Sequence, residues 1–175
     1  DKNKIVSYYN TKGYRDAQIL SDSIWRTKNG RLRIHLNIEE GKRYYYRNIF
    51  IKGNSLYSED QIRNVLAIQR GDIYNQELLQ KRLSFNQDGR DVSSLYMDEG
   101  YLFFRAEPVE VGIEKDSVDI ELRIVEGAQA TIDRVKIIGN DRTNEHVVRR
   151  EIRTKPGQKF SRSDVIRSQR AIMAL

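Results

Sequence analysis

The sequence predicts an α+β fold in which a unit of strand, helix, helix, strand and strand is repeated in tandem. One observation is a stretch that occurs twice, Tyr46–Asn54 and Ile132–Asn140, with apolar residues at alternate positions before a closing Gly-Asn pair. This pattern is typical of a strand that ends in a tight turn. The other is an offset of 86 residues between Gly53 and Gly139. The same offset relates Ile34, Leu36 and Ile38 to Ile120, Leu122 and Ile124, and Gly71 to Gly157. Several matches at one offset indicate an internal repeat.

Composition limits the function classes. The 175 residues are 38% hydrophobic and 32% charged, and no apolar run reaches the ~18 residues that a membrane-spanning helix needs. The chain has no cysteine, which excludes a disulfide scaffold and thiol catalysis. The net charge of +6 favours nucleic acid, anionic lipid or acidic partners, although a solvated basic surface is the commoner meaning.

Residues 1–41 read as the second part of a unit. The stretch from Ile5 to Asn10 has the pattern of a helix end, and Tyr14 to Trp25 that of a strand with a bulge, because the alternation slips between Ile19 and Leu20. Asn29-Gly30 predicts a hairpin turn, and Leu32 to Glu39 alternates as the return strand.

The two helices of the complete unit, residues 42–127, are marked by capping residues. Ser58 and Gln61 have the spacing of a capping box before a short helix. Asn75 can cap a second helix, which Asp88-Gly89 is expected to kink or break before it resumes.

A hairpin closes the complete unit. Tyr101 to Glu114 predicts a long strand, and Pro108 assigns it to a sheet edge because proline has no N–H for the ladder. A turn at residues 115–117 leads to a return strand through Ile120 and Ile124.

Residues 128–175 repeat the beginning of the unit. A strand over 132–137 is followed by a helix from Thr143 or Asn144 and another from Ser161. Because residues 1–41 and 128–175 each supply part of a unit, both are expected to expose an apolar sheet face, and the parts from two molecules could dock head to tail.

This tandem resembles the polypeptide-transport-associated (POTRA) domains of outer-membrane β-barrel assembly proteins. The stretches that carry the resemblance are Ile49–Asn54, Leu95–Phe104 and Val147–Gly157. The resemblance implies a three-stranded mixed sheet under two helices, with the third strand central and the second at the edge. It further implies a periplasmic scaffold attached to the outer membrane through a barrel elsewhere in the same polypeptide. Its partners would be unfolded outer-membrane proteins and accessory assembly lipoproteins.

The predicted client-binding edge is the second strand of the complete unit. An exposed edge has unpaired N–H and C=O groups that can pair with an extended segment, so binding by β-augmentation is the expected mechanism. The residues assigned to it are Phe103, Phe104, Arg105, Ala106, Glu107, Val109 and Val111.

Two further clusters are candidate contact surfaces. Tyr44, Tyr45 and Tyr46 lie between two units and are predicted to pack an interdomain joint, although aromatic residues among basic ones can also stack nucleobases. Arg149, Arg150 and Arg153 fall on or beside one helix, either as a solvated face or as a docking surface for an acidic partner or for lipid headgroups.

Catalysis, metal binding and cofactor binding have no support in the sequence. His35 and His146 lack a cysteine, or a second histidine at ligand spacing, and are expected to be surface residues. No glycine motif can cradle a phosphate. The alternatives are a basic nucleic-acid-binding α/β protein, which lacks the usual motifs here, and the use of the same domain in secretion or cell division.

Overall fold

The computed structural model describes residues 2–84, 86 and 89–175. Within them no helix is long and apolar enough to cross a membrane. The elements follow one another as α1 (Lys2–Thr11), β1 (Gln18–Arg26), β2 (Leu32–Glu39), β3 (Tyr45–Lys52), α2 (Glu59–Leu66), α3 (Gln76–Leu83), α4 (Val92–Asp98), β4 (Arg105–Glu114), β5 (Ser117–Val125), α5 (Glu145–Glu151) and α6 (Arg162–Ile172).

The strands form two sheets. β1 and β2 make an antiparallel pair, and the second sheet is mixed, with the order β3-β5-β4. The α+β fold with a three-stranded mixed sheet is therefore confirmed, as are the central position of β5 and the edge position of β4. Pro108 lies within β4, where a missing N–H is tolerated.

By spatial contact the chain divides into two compact units. Unit 1 contains Asp1–Phe50, Ile68–Gln80 and Pro108–Glu121, and its buried side chains include Tyr46, Tyr74 and Ile120. Unit 2 contains Ile51–Ala67, Lys81–Glu107 and Leu122–Leu175, with Ile62, Leu66, Leu83, Tyr96 and Leu122 among its buried residues. This division differs from boundaries at 41/42 and 127/128, which stay a prediction from the repeat.

The N-terminal hairpin follows its sequence signals closely. β2 has the predicted bounds, Gly30 turns with φ 75°, and the register between β1 and β2 shifts between Ile19 and Ser21, where the bulge is expected. The strand begins later than predicted, at Gln18. Residues 14–17 form a turn instead, in which the Ala17 N–H donates to the Tyr14 carbonyl.

Helix caps lie where the sequence places them. Ser58 and Gln61 form both halves of the capping box of α2, and Asn75 Oδ1 accepts from the Leu78 N–H at the start of α3. Ser161 likewise caps α6 by accepting from the Asp164 N–H. The expected break separates α3 from α4, and Gly89 there has φ 67°. Asp88 lies outside the described residues.

One predicted strand is shorter than expected, and another is absent from the described residues. Residues 101–104 precede β4 because Gly100, with φ 96°, starts a turn in which the Phe104 N–H donates to the Tyr101 carbonyl. Residues 132–137 form no strand, because a ladder requires a neighbouring strand. Among the described residues, only Ile132 has backbone bonds of this kind, with Gly157 and Gln158, next to the isolated Thr131–Lys159 bridge. Val135 and Ile137 still alternate as half-buried residues between exposed ones.

Candidate functional site

The candidate site is the β4 strand, which lies at the edge of the three-stranded sheet. β5 is its neighbour on one side, and no other described strand pairs with its outer side. Arg105, Glu107 and Val111 are exposed, and Ala106 and Val109 are half-buried. The backbone groups on the outer side of such a strand can pair with an added extended segment.

The edge is shorter than predicted, because Phe103 and Phe104 precede the strand. Phe104 is only 5% exposed, and its ring stacks on Tyr96 with the centroids 4.2 Å apart. Phe103 is 65% exposed. The turn at residues 101–104 explains the later start of the strand, because the Phe104 N–H donates to the Tyr101 carbonyl within that turn. Five of the seven predicted edge residues therefore lie in β4.

The C-terminal half of β4 holds carboxylates that already have partners. Glu110 accepts from Arg15 Nη2 at 2.6 Å and from the Tyr74 hydroxyl at 2.6 Å, and Arg47 contacts Glu114. Burial would raise the pKa of Glu110, but the hydrogen bonds from Arg15 and Tyr74 lower it below its ordinary value. In the N-terminal half, neither Arg105 nor Glu107 has a side-chain partner among the described residues. The charged side chains of that half are therefore free to meet a ligand.

The sequence provides no signal for the Arg15–Glu110 contact. The two residues are 95 positions apart, and neither belongs to a recognisable motif. The alternation of residues in β4 predicts only that the Glu110 side chain faces solvent.

The three tyrosines have different environments. Tyr44 is 9% exposed, its N–H donates to the Gly13 carbonyl at 2.8 Å, and its hydroxyl donates to Asp16. Tyr46 is 1% exposed, and its hydroxyl donates to the Asn75 carbonyl at 2.9 Å; burial raises its pKa to about 12. Tyr45 is half-buried. Tyr44 thus contacts the N-terminal residues directly, whereas Tyr46 belongs to the core of unit 1.

The backbone contacts around these tyrosines occur again near the C-terminus at the offset of the repeat. The Tyr45–Ile73 bridge corresponds to the Thr131–Lys159 bridge. Likewise, the Gly71 N–H donates to the Tyr46 carbonyl at 2.7 Å, and the Gly157 N–H donates to the Ile132 carbonyl at 2.7 Å. The internal repeat therefore extends to three-dimensional hydrogen bonding.

Charged side chains that are buried or half-buried connect α4 with the start of α6. Arg162, at the start of α6, lies 3.3 Å from the Asp91 carboxylate and also contacts Ser93 and Ser94. At the other end of α4, the Asp98 carboxylate accepts hydrogen bonds from residues 161 and 163. These residues were not predicted from the sequence. The spacing of seven between Asp91 and Asp98 was the available signal, because it places two carboxylates on one side of a helix.

Arg149 and Arg150 of the predicted basic face lie on α5, and Arg153 lies just beyond its end. Arg149 contacts Glu145 and Arg150 lies 3.2 Å from Glu151, so both have acidic neighbours on α5. Arg153 is exposed beyond the end of α5, since Ile152 has left the helical conformation with ψ 118°. The docking role of this face stays a prediction.

The described part of the chain contains no group of three or more histidine, cysteine, aspartate or glutamate side chains that could hold a metal ion. His35 and His146 are both exposed.

Comparisons with known proteins agree with this architecture. The family model POTRA, "Surface antigen variable number repeat", matches residues 44–127 and 130–175. The chain is 24% identical over all its length to outer membrane protein assembly factor BamA of Neisseria meningitidis. It is 25% identical over 96% of its length to BamA of Nitratidesulfovibrio vulgaris. It spans 22% and 21% of the lengths of these relatives.

A solved structure has the same fold. BamA POTRA3-5 of Haemophilus influenzae superimposes with a TM-score of 0.77 at 18% identity, covering 98% of this chain and 66% of that one.

Proposed function

The chain belongs to the POTRA family, and we propose on this basis that it is a non-catalytic binding scaffold in outer-membrane protein assembly. Its relatives are named outer membrane protein assembly factors. In this proposal the chain works in the periplasm, as part of a longer polypeptide that carries a membrane barrel. It receives unfolded outer-membrane proteins and passes them to that barrel, together with accessory lipoproteins.

The observation that carries the proposal is the one-sided pairing of β4 in the sheet. An extended client segment adds to such an edge by main-chain hydrogen bonds, which depend little on side-chain identity. A scaffold that serves many clients needs this tolerance. The charged residues Arg105 and Glu107 and the missing N–H of Pro108 also discourage permanent pairing between sheet edges.

We place the client at the N-terminal half of β4. Arg15 engages Glu110 and Arg47 engages Glu114, so side chains from elsewhere in unit 1 already occupy the C-terminal half. A client strand that paired there would have to share or displace these contacts. At Arg105 and Glu107 no such contact has to be broken.

Site-specific crosslinking tests the proposal. A photoreactive residue is placed at Arg105, Glu107 or Glu114, and at Asp60 on α2 as an exposed control. The probe is an unfolded outer-membrane β-barrel protein diluted from urea. We expect the highest yield at Arg105 and Glu107, less at Glu114 and background at Asp60. Equal yields at all four positions would refute binding at the edge.

A further inference from the structure

A cleft of about 530 Å³ lies among the helices of unit 2, and none of its described lining residues belongs to β4. α2 contributes Asn64 and Val65, α4 contributes Leu95, and Tyr57 precedes α2. Its volume falls within the range of about 300–1,000 Å³ that is usual for ligand sites. Val65, Leu95 and Tyr57 give the cleft an apolar part that an apolar side chain can cover.

Two arginines, Arg82 and Arg90, line the cleft. Neither the Arg82 nor the Arg90 guanidinium has an ion pair or hydrogen bond among the described residues. A guanidinium has five N–H donors and pairs with carboxylates in a two-pronged geometry. The cleft therefore has unused donors beside apolar surface.

The carboxylates that line the cleft are already engaged. Asp91 is paired with Arg162, Asp98 accepts hydrogen bonds from the start of α6, and Glu99 lies 3.4 Å from Lys159. The two arginines are consequently the ionic groups of the cleft that a ligand can engage without displacing an existing contact.

We propose that this cleft binds a peptide segment of a partner protein in which acidic residues flank an apolar side chain. The apolar side chain covers Val65 and Leu95, and the acidic residues pair with Arg82 and Arg90. A peptide suits the cleft better than a free anion because the cleft joins charge to apolar surface. The site goes beyond the proposed function, since it is separate from β4 and does not use strand addition.

Fluorescence anisotropy on the 175-residue chain tests the proposal. The probe is a labelled, end-blocked peptide of sequence Glu-Leu-Phe-Glu, with Lys-Leu-Phe-Lys and Glu-Ser-Ser-Glu as comparisons. The probe should bind saturably and about tenfold or more tighter than either comparison, since charge-assisted hydrogen bonds and apolar contact both contribute. Binding should weaken with added salt.

Matched variants locate the binding. The double variant Arg82→Glu/Arg90→Glu should weaken binding at least ~10-fold. Arg31→Glu/Arg33→Glu makes the same charge change on the exposed N-terminal hairpin and should leave the affinity unchanged. Asn64→Trp keeps both arginines but fills the cleft, so it should also abolish binding. Circular dichroism verifies that each variant is folded.

Several outcomes would overturn the proposal. These are no saturable binding of the probe at millimolar concentration, equal affinity for Lys-Leu-Phe-Lys, or full affinity in both cleft variants. Displacement of the probe by an equal concentration of inorganic phosphate would indicate an anion site instead. None of these outcomes bears on crosslinking at β4, so the two proposals fail independently.

Discussion

Removal of the Arg162 side chain should destabilise the packing of α6 against α4 strongly. Asp91 has a side chain that is 0% exposed, and that of Arg162 is 13% exposed. In Arg162→Ala the carboxylate keeps its hydrogen bonds from the Ser94 N–H at 2.8 Å and the Asn86 N–H at 2.9 Å, but it loses its neutralising charge. The variant therefore leaves a buried, partly satisfied anion.

The expected loss in free energy of unfolding follows from the cost of breaking a buried ion pair. Breaking a buried ion pair commonly costs about 3–5 kcal/mol because one charge is left uncompensated. The two backbone donors that stay on Asp91 reduce this penalty, so we expect about 2–3 kcal/mol for Arg162→Ala. Lys159→Ala removes the Lys159–Glu99 pair, whose side chains are 55% and 51% exposed, and should cost about 0.5 kcal/mol or less.

Urea denaturation measures the free energy of unfolding, and hydrogen exchange of α6 amides shows whether the loss is local. A double variant, Asp91→Asn/Arg162→Met, removes both charges, while the introduced asparagine can still cap α4. It should recover at least half of the loss, because no unpaired charge stays buried. If Arg162→Ala is no more destabilising than Lys159→Ala, the argument from buried charge is wrong.

Three further predictions follow from local contacts. Because the pKa of Glu110 is lowered, its contacts stabilise the fold above the ordinary pKa of 4.5, and this stabilisation is lost as pH falls through the pKa of the folded state. Glu110→Gln should therefore reduce the slope with which the free energy of unfolding falls at acid pH. An unchanged slope would contradict this. Ser58→Ala should cost about 1 kcal/mol in urea unfolding, because Ser58 caps α2, whereas Asn144→Ala should cost little, since the Asn144 side chain makes no capping bond. Gly53→Ala should lower the melting temperature far more than Gly30→Ala. Both glycines have positive φ, but only at Gly53 would an added Cβ clash, because it would lie 2.1 Å from the Ile124 carbonyl oxygen. Similar melting temperatures of the two variants would refute this.

Local sequence signals determined much of the fold. The capping box at Ser58, the Asn29-Gly30 turn and the alternation of Leu32–Glu39 each depend on residues a few positions apart, and each has its predicted form. Pro108 also located the sheet edge, because a missing N–H is a property of the residue alone. The offset of 86 residues predicted the tandem repeat, and paired hydrogen bonds at Tyr46 and Ile132 follow it.

Tertiary structure decided whether and where two predicted strands form, and which ion pairs form, because these depend on contacts between residues that are distant in the sequence. Alternation predicted a strand from Tyr101 and another over residues 132–137. The turn after Gly100 delays the start of the first to Arg105, and the second has no neighbouring strand among the described residues. The ion pairs Arg15–Glu110 and Arg162–Asp91 join residues that are 95 and 71 positions apart. The sequence around a charged residue does not show whether its side chain faces water or an oppositely charged partner. Its energetic weight comes from burial and from the position of the opposite charge, and only the folded chain sets these.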